Sequence, residues 1–332
     1  MEQDWKNRYT PPENSIWKGR EGEAENSRLF SLVQCVDLLA EKLVECDGYA
    51  FGFLGFSCDE GVRRNQGRCG ADEGPAALRE ALASQPLHLT KPCSFFDFGD
   101  ITCTDGNLED AQRSLGMIIE HIHLLKIKPI ILGGGHEISW GHYQGILSAF
   151  EETNCGIVNF DAHFDLRPPI EDGKGSSGTP FFQIAQQLSE EEMPFNYLCM
   201  GIQKQSNTAE LFQTAQDLSV QYVTAEEIHN NHHLICRQAI DKIVKKSDNI
   251  YLTICLDAFA SCFAPGVSAP QAQGLTPWQV SPLIEYLVSS GKVVSFDVAE
   301  MCPRLDQDKM TARLAASLIS TYFHAAVKQS TS

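Results

Sequence analysis

From Tyr49 onward, short apolar runs and amphipathic stretches take turns along the chain with no linker and no break in composition. The spacing predicts strands over 49–56, 94–98, 129–132, 156–160, 196–200, 251–256 and 292–298. Between them it predicts helices from near Ala76, over 108–126 and 137–150, from Pro180, near Glu210, and over 234–245, 277–288 and 311–324. Strands separated by helices pair in parallel through right-handed crossovers. The pattern therefore calls for an α/β fold: a single domain with one doubly wound, mostly parallel sheet in three layers. That domain is expected over 28–332. Leu29, Leu32, Val33, Val36, Leu39 and Leu43, at three- and four-residue spacing, predict an amphipathic helix over 28–46 at its start. Residues 1–27, polar with Pro11-Pro12 and mixed charge, read as an N-terminal arm. Residues 58–74, with Arg63, Arg64, Arg68 and several glycines, read as a long loop, and loops of that length in a compact domain usually serve function. No internal repeat is visible.

Chemistry gathers at one edge of this sheet. The apolar run 156–158 feeds Asn159-Phe160-Asp161-Ala162-His163-Phe164-Asp165. In extended chain a period of two points Asp161, His163 and Asp165 the same way, which converges three ligands of a divalent cation on one spot. His136 follows the 129–132 strand across Gly133-Gly134-Gly135, Cys255 and Asp257 end the 251–256 strand, and Glu300 follows the 292–298 strand. All lie at carboxyl ends of strands, where the loops of an open parallel sheet diverge and leave a crevice. The three glycines lack the order of a phosphate cradle and fit better a tight backbone approach beside metals. His121 and His123 cannot share a helix face, and His229, His232 and His233 sit in a polar turn, so both groups read as solvated.

Composition narrows the partners. The net charge of −17 at pH 7 argues against nucleic acid or anionic membrane as partner, since both require a basic face. No apolar run approaches the roughly 20 residues that span a bilayer. Twelve cysteines without a CxxC pair, many in apolar contexts such as Cys35, Cys199 and Cys255, fit buried free thiols in a reducing, cytoplasmic compartment. A homo-oligomer is left open.

The motifs 133–137 (GGGHE), 161–165 (DAHFD), 253–257 (TICLD) and 295–300 (SFDVAE), with Trp17-Lys18-Gly19-Arg20 and the glycine-rich 61–79 segment, resemble the ureohydrolase family of arginase, agmatinase and formimidoylglutamase, and most closely its formimidoylglutamase branch. The resemblance spans nearly the whole chain and implies an arginase-like fold with two Mn²⁺ ions. Carried over, His136, Asp165, Asp161 and residue 255 would hold one ion, and His163, Asp161, Asp257 and residue 255 the other. Here the chain departs from the pattern, because Cys255 stands where the family has a bridging carboxylate. A thiolate preserves the charge balance but is softer, so Zn²⁺ or Co²⁺ is admitted as well. A working site with altered metal preference, a site that fills one position poorly and a catalytically weakened relative all stay open.

Within the family, the 176–181 loop (SSGTPF) carries Ser177 where arginases and agmatinases carry a histidine. Arg167 occupies the place of a neutral residue that contacts the substrate carboxylate. Both point to a glutamyl substrate with two carboxylates, and Gln203 and Asn207 are weaker candidates for the same end. The implied reaction is hydrolysis of N-formimidoyl-L-glutamate to L-glutamate and formamide, a step of histidine degradation. Glu300 would hold the cationic amidine nitrogen and Asp165 would carry the proton. Alternatives are an agmatinase or guanidino-acid ureohydrolase, a metal-binding relative without turnover, and a single-zinc amide hydrolase of the deacetylase type.

Overall fold

Alternating apolar segments pair into a ten-stranded sheet in the computed structural model, which describes residues 4–20, 22, 27–40, 46, 48–151, 153–231 and 233–328. The strands are β1 (Tyr9–Thr10), β2 (Val33–Cys35), β3 (Tyr49–Ser57), β4 (Cys93–Thr102), β5 (Lys128–Leu132), β6 (Cys155–Phe160), β7 (Tyr197–Ile202), β8 (Gln221–Thr224), β9 (Asn249–Cys255) and β10 (Val293–Ala299). Their order across the sheet is β1-β4-β3-β5-β10-β9-β6-β7-β8, with β2 also on β4. Every pairing is parallel except that of β1 with β4. The expected doubly wound α/β sheet is therefore present.

Helices cover both faces because successive strand side chains point to opposite sides. Ile130, Leu132, Leu252, Ile254, Val158 and Phe160 pack with Leu78 of α2 (Gly74–Ala83), Ile240 of α8 (Leu234–Lys246), Ile284 of α9 (Pro277–Val288) and Ile319 of α10 (Met310–Lys328). The intervening Leu54 and Ile131 meet α3 (Leu108–Leu124), while Ile157 and Tyr251 meet α4 (Ile138–Ala149) and α5 (Pro180–Glu190). Full burial of such side chains contributes roughly 1.5–3 kcal/mol each. The remaining helices are α1 (Glu60–Arg64), α6 (Ala209–Asp217) and α7 (Ala225–Asn231).

Four expectations change. The helix predicted over 28–46 is not formed by its described part: Leu29–Ser31 make one 3-10 turn, and Val33–Cys35 form β2, with Val33 opposite Phe95. A free edge of β4 offered backbone partners that outweigh helical spacing; residues 41–45 lie outside the described set. The 58–74 stretch holds α1, because Glu60 binds Arg63 at 2.5 Å and Arg64 at 2.9 Å across one helical turn. The described part of the lead-in joins the sheet: Tyr9 pairs with Ile101, and Trp17 Nε1 donates to buried Asp97 at 2.8 Å. His123 is not a solvated residue; its Nε2 is sealed in the core beside Phe150, whereas His121 and His229 are exposed, and His232 lies outside the described residues.

Candidate metal centre

Strand register brings the motifs together. Leu132, Val298, Ile254 and Phe160 form one row across four adjacent central strands, since Val298 pairs with both Leu132 and Ile254, and Ile254 with Phe160. Each strand then ends within a few residues, so His136, Glu300, Cys255 with Asp257, and the 161–165 loop all emerge at the same edge. The glycines before His136 do serve close approach. A Cβ on Gly134 would lie 1.8 Å from the Cys58 carbonyl oxygen, so the loop lies against β3 with no room for a side chain.

Around this edge the donor atoms form two overlapping triads, His136 with Asp161 and Cys255, and Asp161 with His163 and Asp257; within each, the atoms lie within 4.8 Å of one another. His136 Nδ1 stands 2.9 Å from an oxygen of Asp161 and 2.9 Å from one of Asp165 but has hydrogen-bond geometry to neither. His163 Nδ1 lies 3.5 Å from Asp161 and 3.2 Å from Asp257, and the Cys255 thiol donates to Asp257 at 2.9 Å. A buried ring nitrogen aimed between two carboxylates, outside hydrogen-bond geometry, is the arrangement that a shared cation satisfies. The nitrogen, oxygen and sulfur donors present fit a divalent transition-metal ion.

Electrostatics point the same way. Burial and the charge of Asp161 push Asp165 up to about 6. Burial, with Asp161 beside both, also raises Asp257 and lifts the Cys255 thiol well above its ordinary value. Burial and the neighbouring Glu137 and Asp257 hold Glu300 well above the usual carboxylate range. Burial opposes a charge on His136, but Asp161 and Asp165 outweigh it and raise the ring above ordinary histidine, so the proton they attract stands where a cation would. Acidic groups that penalise one another's ionisation in this way form a site built for positive charge. Asp165 and Glu300 also hold positive φ, 49° and 69°, strain of the kind that functional loops retain.

A cavity of about 410 Å³ opens over the centre. Asp165, Glu300, Arg167 and Ser177 line it, and so do Asn65 and Arg68 from the 58–74 stretch. Arg167 is exposed, and its guanidinium forms no ion pair among the described residues. Ser177 is fixed by the Asn65 side-chain amide at 3.1 Å. Arg68 donates to the carbonyls of Ser268 at 2.8 Å and Val267 at 2.7 Å, tying two walls together. Gln203, by contrast, borders a separate cavity beyond β7, so the structure does not bring it to the centre. Asn207 touches the cavity, but its side chain is engaged elsewhere: Oδ1 accepts from Phe164 N at 3.0 Å, and Nδ2 donates to the carbonyls of Ala162 and Gln203 at 2.8 Å each. It pins the 161–165 loop. Asn159, whose amide donates to Asp161 at 3.2 Å, was missed because it reads as an ordinary strand residue.

Comparison with known proteins agrees with this geometry. A family model described as the Arginase family matches residues 49–324. Formimidoylglutamase of Legionella pneumophila is 44% identical over 312 residues, covering 94% of this chain and 96% of that protein. That of Clostridium tetani is 44% identical over 319 residues, covering 94% of each. Among solved structures, Trypanosoma cruzi formiminoglutamase with Mn²⁺ superposes with a TM-score of 0.78 at 26% identity, covering 91% of this chain and 98% of that one. Bacillus subtilis formimidoylglutamase shares the fold with a TM-score of 0.78 at 21% identity, covering 94% and 96%. Motifs, sheet and similarity over nearly the whole length lead to one assignment: the chain belongs to the arginase family.

Proposed function

We propose that this chain hydrolyses N-formimidoyl-L-glutamate to L-glutamate and formamide. The observation that carries the reading is one cavity that combines an acidic, cation-fitting floor with Arg167 on its wall, an arginine without an ion pair among the described residues. The substrate has the matching polarity, a cationic amidine at one end and two carboxylates at the other. Relatives similar over almost the full length bear the same activity in their names. Agmatine, which has no carboxylate, would leave Arg167 without a partner.

Two Mn²⁺ ions are the proposed cofactors: His136, Asp161, Asp165 and Cys255 would hold one, and Asp161, His163, Asp257 and Cys255 would hold the other. Overlap of the two donor triads at Asp161 supports that count, and the sulfur of Cys255 admits Zn²⁺ or Co²⁺. When bound, such ions lower the pKa of water toward neutrality and so supply hydroxide at physiological pH.

The protein's own groups orient the rest. Glu300 is tied to the glycine loop at both ends: its N–H donates to Gly134 O at 2.7 Å, and its Oε1 accepts from His136 N at 3.0 Å. From there its carboxylate receives the amidine nitrogen and presents the formimidoyl carbon for attack. Asp165 takes the hydroxyl proton of the tetrahedral intermediate as the carbonyl of formamide forms, and passes it to the glutamate nitrogen as the C–N bond breaks. Arg167 and Ser177 hold the glutamyl carboxylates. The buried Cys58, Cys155, Cys199, Cys236, Cys255 and Cys302 stand as thiols outside any disulfide, which supports a reducing, cytoplasmic setting; no helix among the described residues is long and apolar enough to cross a membrane.

The test is turnover of N-formimidoyl-L-glutamate, agmatine and L-arginine side by side on the manganese-loaded protein. Formimidoylglutamate should be hydrolysed far faster than the others, with glutamate and formamide released in equal amounts. Comparable rates on agmatine would overturn the substrate assignment.

A further inference from the structure

Beneath the centre, between β9, β10 and α4, lies a buried polar chain that the proposed reaction does not use. Asp297 is fully buried and collects three donors. Its Oδ1 accepts from the Thr253 hydroxyl at 2.5 Å, and its Oδ2 accepts from His142 Nδ1 at 2.6 Å and from the Tyr251 hydroxyl. The outer partners are fixed in turn: His142 Nε2 lies 2.5 Å from Ser295 Oγ, and Tyr251 OH also reaches Ser139 Oγ at 3.0 Å. Thr253 Oγ1 in turn lies 3.0 Å from His136 Nε2.

The hydrogen count gives this chain a direction. A carboxylate has only acceptor positions, and a threonine hydroxyl has one hydrogen. That hydrogen is committed to Asp297, so toward His136 the Thr253 oxygen can only accept, and Nε2 must carry a hydrogen. In the neutral ring, the form that binds a metal, Nδ1 then carries the lone pair, and Nδ1 is the atom that faces Asp161 and Asp165. We propose that Thr253, oriented by Asp297, is a positioning residue that fixes His136 in its metal-binding tautomer and ring orientation. The inference rests on the metal-centre reading but not on the substrate assignment. An outer partner of this kind changes metal affinity about tenfold to a hundredfold when removed.

The experiment is calorimetric titration of full-length Thr253→Val and Thr253→Ser proteins with Mn²⁺, with thermal melts of the metal-free forms as the folding control. The valine variant, equal in shape but without the acceptor, should bind Mn²⁺ about tenfold to a hundredfold more weakly, while the serine variant stays close to the parent. A valine variant that binds as tightly as the parent, or a serine variant as weak as valine, would overturn the proposal. A second reading needs no variant: in zinc-loaded parent protein labelled with ¹⁵N-histidine, His136 should show a hydrogen on Nε2 and coordination through Nδ1. Coordination through Nε2 would refute the assignment. Because neither readout uses substrate, a protein that passes both yet fails to hydrolyse formimidoylglutamate would count against the proposed function alone.

Discussion

Replacing Arg167 with alanine separates substrate recognition from chemistry. Its guanidinium lines the cavity and is exposed, and it makes no ion pair among the described residues, so the fold does not depend on it. Removal should change stability by no more than about 0.5 kcal/mol, as for an ordinary surface substitution. A charge-assisted hydrogen bond to a substrate carboxylate contributes roughly 1.5–3 kcal/mol, and exposure to solvent places Arg167 near the lower end. At 1.4 kcal/mol per tenfold, that corresponds to a KM for formimidoylglutamate raised about 10- to 30-fold. The carboxylates are bonded to neither atom of the C–N bond that breaks and keep their charge through the reaction, so the contact should be equally strong in ground and transition states, and kcat should stay near the parent's. Arg167→Lys should recover part of the loss, because charge is kept while the planar fork is not. Steady-state kinetics at two ionic strengths measure all of this, with added salt narrowing the gap between parent and alanine variant. An unchanged KM, or a fall in kcat equal to the fall in kcat/KM, would refute the role given to Arg167.

Cys255→Asp should tighten Mn²⁺ binding and give activity in manganese equal to or above the parent's, since a carboxylate offers each hard cation its own oxygen where one sulfur must serve both; weaker manganese dependence in a titration of activity would show that the thiol points away from the ions. Asn207→Leu should lower stability by about 1–3 kcal/mol and weaken metal binding, because Phe164 N and the Ala162 carbonyl lose their partner; a variant that altered only KM would return Asn207 to substrate binding. Burial holds the half-buried His123 down at about 3, with smaller contributions from His142 and Lys128, so the folded ring stays neutral while the unfolded one gains a proton below its ordinary value. This contribution is complete above pH 6.5 and is lost as the pH falls toward 3. Denaturant melts should show His123→Phe losing about 1–2 kcal/mol less than the parent between pH 7 and pH 5; equal losses would show that the ring is solvated.

What could be read from the residues follows the range over which the determining forces act. The period of two in Asp161-Ala162-His163-Phe164-Asp165 and the placement of His136 and Glu300 after apolar runs are local, and the sheet register converts them into one site. The 28–46 segment misled because Leu29, Leu32, Val33 and Val36 satisfy helical spacing, whereas the deciding interaction is the open edge of β4 some sixty residues later. Gln203 and Asn207 share one loop, and only tertiary structure shows that the first turns to another cavity while the second holds backbone. Asp297, Thr253 and His142 come from three separate elements, and nothing in their sequence neighbourhoods announces that they meet. Residue 255 is the reverse case, legible as a departure from a family pattern, with the structure placing its thiol within the donor cluster.

Hydrolysis by this chain should depend on a cation centre organised by Asp161. The measurement that addresses it most directly is manganese-dependent release of glutamate from N-formimidoyl-L-glutamate, with bound metal counted on the same samples, for the parent and for Asp161→Ala. Two ions per chain with turnover in the parent, and loss of both in the variant, is the predicted result. An Asp161→Ala protein that keeps two tightly bound ions and turns over substrate would contradict it.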